Sequence, residues 1–136
     1  MTGMKKTLLI IAVLIIGTGL IYAYYIWNKP ARDVAKEKGI HITAVAIFDS
    51  FTNNEQTANM QFLNKAIEVT GKVSNVKTNQ AGQTVVYLQS SDPVFGVNCT
   101  FKQNPGAINK GSTITFKGIC TGYLSDVILN EGMIIK

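Results

Sequence analysis

The chain has 136 residues, enough for one ordinary domain, with 46% hydrophobic residues, 15% charged residues and a formal net charge of +5. Two cysteines and one histidine are too few for a zinc cluster, and neither C-x-x-C nor a Gly-rich phosphate loop occurs. Metal and cofactor chemistry therefore have no motif, and the basic excess is too scattered for a nucleic-acid footprint, which takes clustered Lys and Arg on one face.

Residues 1–7 form a basic n-region with Lys5 and Lys6. Residues 8–27, from Leu8 to Trp27, carry no charge. As a helix they would rise about 30 Å, the thickness of a bilayer's hydrocarbon core. Tyr22, Tyr24, Tyr25 and Trp27 crowd the far end, where aromatic rings favour the membrane interface. A cleaved signal peptide needs a shorter apolar run and small residues before the cut. AYYIWNKP supplies bulky ones, so the reading is an uncleaved transmembrane signal anchor. Lys29, Arg32, Lys36 and Lys38 on the far flank outnumber the two lysines before the span. The K-K start nevertheless resembles an export signal. The expected arrangement is single-pass in a bacterial cytoplasmic membrane, with the C-terminal domain periplasmic or extracytoplasmic.

Residues 28–39 (NKPARDVAKEKG) read as a juxtamembrane helix or linker, and residues 40–64 as two short helices packing on a C-terminal barrel. Ala44, Ile47, Phe48 and Phe51 share one helical face, with Thr43 as cap. Thr52 to Glu55 spells a T-x-x-E capping box for the second helix, with Ala58 and Phe62 one turn apart.

Over residues 65–136 the period changes to two. Ile67, Val69, Gly71 and Val73 alternate with polar residues, then TVVYLQS, then Val97, Cys99 and Phe101. Asn104 to Gly111 interrupts with turn residues. Ser112 to Tyr123 is a long fourth strand and Val127 to Ile135 a fifth, with a kink expected at Gly132. The predicted fold is mainly β with N-terminal helices, ending in a five-stranded OB-fold (Greek-key) barrel. An SH3-like barrel is the alternative.

Cys99 and Cys120 fall on the apolar phase of their strands. Outside the cytoplasm they are a candidate disulfide, closing a loop of about 20 residues worth about 3 kcal/mol; buried free thiols are the other reading. His41 lies more than two helical turns from Asp49 and Ser50, so no catalytic constellation emerges and the chain is not expected to be an enzyme. OB barrels bind mainly on the outer face of the second and third strands. With Val86 and Leu88 inward, Tyr87 faces outward beside Asn98, Thr100 and Lys102, and Lys72, Lys77 and Lys117 extend that face.

The segments NKPARDVA, NEQTANMQFLNKAIEVTGKV, GVNCTFK and KGICTGYLSDVIL together resemble the bacterial tRNA_anti-like OB-fold family, whose members often begin with a hydrophobic segment. The resemblance implies the barrel and a binding role. The family's name records likeness to the anticodon-binding domain of tRNA synthetases, not a demonstrated RNA ligand. The expected function is a membrane-anchored, non-enzymatic binding module with a protein, peptide, glycan or other polymer ligand. Nucleic acid is expected only under the alternative, an OB domain held at the cytoplasmic face.

Overall fold

The computed structural model describes residues 2–135. The chain divides into two compact units, with the boundary between Arg32 and Asp33. The first holds α1, Thr2–Trp27, a continuous apolar helix long enough to cross a membrane, with none of its side chains buried against protein. Two of its hydroxyls are satisfied within the helix. Thr7 donates to the Gly3 carbonyl at 2.8 Å and Thr18 to the Leu14 carbonyl at 2.7 Å. Such back-bonding leaves neither hydroxyl in need of water along the apolar run.

The second unit opens with a single 3-10 turn, Val34–Lys36, in which the Asp33 carboxylate accepts from the Ala35 N–H. It continues as β1 (Ile40–Thr43), α2 (Ala44–Asn53), α3 (Glu55–Phe62), β2 (Ala66–Thr78), β3 (Thr84–Gln89), β4 (Gly96–Phe101), β5 (Thr113–Leu124) and β6 (Asp126–Ile135). The stretch 40–64 therefore contains a strand ahead of its two helices. The β-branched residues of HIT pair with β2 before Thr43, the α2 cap, turns the chain into helix. Thr52 does not cap α3. Its hydroxyl donates back to the Asp49 carbonyl, and Asn54 caps instead, accepting from the Thr57 N–H at 3.1 Å.

The strand order is β1-β2-β3-β4-β6-β5, and β2 also pairs with β5 to close a five-stranded barrel. Closure is possible because β2 is long and slips register between Val73 and Asn75. Its first half, Ala66 to Lys72, pairs with β5, and its second half with β3. β4 and β6 run parallel. That parallel pairing gives the OB-like connection, in place of the SH3-like alternative. β1 is an extra strand, parallel to the start of β2.

One core runs from the barrel interior into the helices. Ala44, Ile47, Phe48 and Phe51 of α2, with Ala58 and Phe62 of α3, join Val69, Val86, Leu88, Val97, Phe101, Phe116 and Leu129. Seating α2 this close depends on Gly71, where a Cβ would lie 2.7 Å from that of Ala44. Phe116 meets Phe101 edge-on at 5.0 Å, and its ring covers Gly132, where a Cβ would fall 1.9 Å from the ring. The bend expected at Gly132 is made one residue earlier, by Glu131 at φ 53°. Gly132 is needed for the close approach.

Candidate ligand face of the barrel

β3 and β4 pair with Val86 opposite Cys99 and Tyr87 opposite Asn98. Val86, Leu88, Val97, Cys99 and Phe101 are buried, so the alternation turns Tyr87, Asn98 and Thr100 outward. Tyr87 and Asn98 are direct cross-strand neighbours, and Thr100 lies two residues along, opposite Val85. Lys102 stands just past the end of β4, exposed, with its N–H donated to the Gly132 carbonyl at 3.1 Å. Tyr87, Asn98 and Thr100 thus share the outer face, with Lys102 next along the chain. Asn75 of β2 extends the Tyr87–Asn98 row on its other side.

Of the three lysines expected to extend this face, Lys77 reaches it. Its Nζ sits 5.6 Å from the Tyr87 ring centroid, a cation–π distance. The Asn98 Oδ1 is buried without a hydrogen-bond partner among the described residues. Beneath the row, Ser74 donates to the Tyr87 carbonyl at 3.0 Å, fixing the strand. The loop after β3 borders the face and is stiff. Asp92 Oδ1 accepts from the Val94 and Phe95 N–H groups at 2.7 and 2.9 Å. The Phe95 bond and then the Val94 bond hold the Asp92 carboxyl below its usual range, so its shift has a structural cause. A cleft of about 310 Å³ runs along this loop, lined by Ser74 and Gln89 to Pro93.

Lys117 is on a different face. It points outward from β5 yet is only 6% exposed, because residues 33–39 strap across it. Its ammonium donates to the Ala35 carbonyl at 3.3 Å and to the Glu37 carbonyl, and lies 3.8 Å from Glu68 Oε1. Glu68 Oε2 in turn faces His41 Nδ1 at 2.5 Å. Val34 fills a small apolar pit with Ala66 and Ile119, and Gly39 leaves room for the Glu68 side chain. A lone lysine in a strand cannot be told from a solvated one by sequence, since its cover comes from some 80 residues upstream. Lys72 is exposed opposite Thr113, toward the strapped half of β2.

Cys99 and Cys120 are both free and fully buried. Each pairs with Leu129, from opposite flanks of β6. Two strand spacings of about 4.8 Å place their Cα atoms past the roughly 7 Å reach of a disulfide, so bridging them would require the backbone to move. Burial pushes both thiols up, Cys99 strongly; for Cys120 a Gly122 backbone hydrogen bond partly offsets it. These are unreactive wall residues in the folded state.

Among the described residues, no three His, Cys, Asp or Glu side chains gather as a metal site. The arrangement offers one aromatic ring, amides, a hydroxyl and two cations on a rigid outer sheet face. That suits contact with an extended ligand.

No curated protein matches the sequence. A crystal structure from Klebsiella pneumoniae subsp. pneumoniae MGH 78578, titled "putative nucleic acid-binding lipoprotein", is similar at a TM-score of 0.53 and 21% identity. The match covers 79% of this chain and all of that one. A chain of the yeast Stn1 and Ten1 structure is similar at a TM-score of 0.47 and 14% identity, over 73% of this chain and 64% of that one. The sequence profile of the tRNA_anti-like family matches residues 1–133. That match spans nearly the whole sequence, barrel and apolar helix included, and the chain belongs to the tRNA_anti-like family.

Proposed function

We propose that the chain is a membrane-anchored, non-enzymatic binding module. Its barrel faces the periplasm or outer surface and takes a protein or polymer ligand across the outer face of β3 and β4. The observation that carries this reading is the Tyr87–Asn98 row, with Lys77 at its ring. α1 supports anchoring by its length and composition.

A second reading, a domain at the cytoplasmic face binding single-stranded nucleic acid, gains from the description of the solved lipoprotein and from the cation at Tyr87. Stacking on one aromatic ring beside lysines is how OB faces hold bases. A reporter fused after Lys136 distinguishes the readings. Activity only outside the cytoplasm supports the first; activity only inside sinks it. Titration of the full chain in detergent with labelled oligothymidine at low salt tests the ligand. Saturable binding that weakens in Tyr87→Ala establishes the second reading's chemistry, and no binding removes it.

A further inference from the structure

Seven large apolar side chains are exposed on the barrel unit among the described residues: Val45, Met60, Leu63, Val94, Phe95, Leu124 and Ile134. Their placement is uneven. Met60 and Leu63 lie one turn apart where α3 ends, at 70% and 42% exposure. Leu63 reaches over Gly122, its Cδ1 4.0 Å from where a Cβ would stand. Two residues further along β5 is Leu124, 79% exposed at the tip of the β5–β6 hairpin. Asp126, just past that turn, accepts from the Gly96 N–H at 2.7 Å, which brings the loop carrying Val94 and Phe95 to the same tip. Five of the seven therefore follow one ridge. Scattered apolar residues need no explanation, but a continuous exposed run marks an interaction surface.

The occupant is indicated by the chain itself. Val34, at the entry to the barrel unit, packs on Ala66 and Ile119, beside the Lys65 carbonyl bonded to Cys120. The ridge starts at this corner. Residues 28–32 are all that separates α1 from this unit, and an extended stretch of that length reaches at most about 20 Å. A surface tethered so closely meets its neighbour at high effective concentration. Lys65 is exposed at the same corner. A cation beside an apolar ridge suits headgroups above acyl chains.

We infer that the ridge Met60–Leu63–Leu124–Phe95 docks on the lipid bilayer that holds α1. This rests on α1 being a membrane anchor. The barrel is then held on the membrane by two attachments.

The test uses the full chain in phosphatidylcholine–phosphatidylglycerol vesicles. Leu63→Cys, Leu124→Cys and, as control, Thr100→Cys each receive an environment-sensitive fluorophore, which the buried native thiols do not take up. Labels at 63 and 124 should be blue-shifted and lose most of their emission when the lipids carry doxyl groups, with the label at 100 unchanged. No quenching at either ridge position, in protein that resists carbonate extraction, overturns docking while leaving the anchor standing. A blue shift without doxyl quenching also overturns it and assigns the ridge to a second copy or another protein. Release by carbonate overturns the anchor reading and the docking with it.

Discussion

Two outer faces of one barrel carry lysines, and the lysines do different things. On the face of β2 and β5, Lys117 is buried under its own chain, bonded to the Ala35 and Glu37 carbonyls and set against Glu68. On the face of β3 and β4, Lys77 and Lys102 are exposed, one over Tyr87 and one beyond the strand end. The first face is finished by residues 33–43, which leave Lys117 6% exposed; on the second, Lys77 and Lys102 stay exposed. A covered cation belongs to the stability of the fold, and an uncovered one beside an aromatic ring belongs to a partner.

That contrast can be broken by substitution. The largest effect should come from Lys117→Met, which leaves Glu68 without its cation and frees two carbonyls: a loss of about 3 kcal/mol, as for breaking other buried pairs, seen as a lower denaturant midpoint. Adding Glu68→Leu should recover most of it. A change under about 1 kcal/mol would mean that the strap holds through Val34 alone. Tyr87→Ala should act oppositely, weakening a ligand on the open face by roughly tenfold, in line with about 1–3 kcal/mol per stacked base, while stability hardly moves. Unaltered affinity would move the site elsewhere.

The thiols sharpen the comparison from inside the barrel. Burial raises both, so the native state holds their protons more tightly than the unfolded chain. The stability they contribute is present below the ordinary thiol value, about 8.5, and is lost as pH rises through and above it. Thermal melts should therefore fall more steeply above that pH than in Cys99→Ala. Denatured without reductant, both cysteines should alkylate at once; a need for reduction would show them bridged. The smallest effect belongs to Lys102→Ala, within about 0.5 kcal/mol of unaltered stability. Equal losses at Lys102 and Lys117 would abolish the distinction between the faces.

Much of the barrel was legible because β4 and half of β3 alternate, although β3 buries Val85 beside Val86 and β5 buries Phe116 to Cys120 without a break. Val86 and Leu88 inward imply Tyr87 outward, and Val97, Cys99 and Phe101 imply Asn98 and Thr100, as their burial confirms. The α2 face was equally clear from Ala44, Ile47, Phe48 and Phe51. What escaped depended on long-range cover or competing local bonds. Thr52 has the spacing of a cap, yet its hydroxyl serves the preceding helix, and Asn54 takes the role. Lys117 has the phase of an exposed residue and is hidden by a segment far away in sequence. The separation of Cys99 from Cys120 follows from β6 lying between them, a matter of strand order that no local pattern reveals.

The strap also has a consequence in time. Residues 33–39 are the first of the barrel unit to be made, yet Lys117 of β5, which they cover, comes some 80 residues later. Contacts so distant form slowly, because a long loop must close before they contribute. The segment nearest the apolar helix must wait, unpaired, until almost the whole chain has been synthesised. A nascent chain halted before β5 would carry its strap loose and open to proteolysis. The finished barrel locks that entry point last.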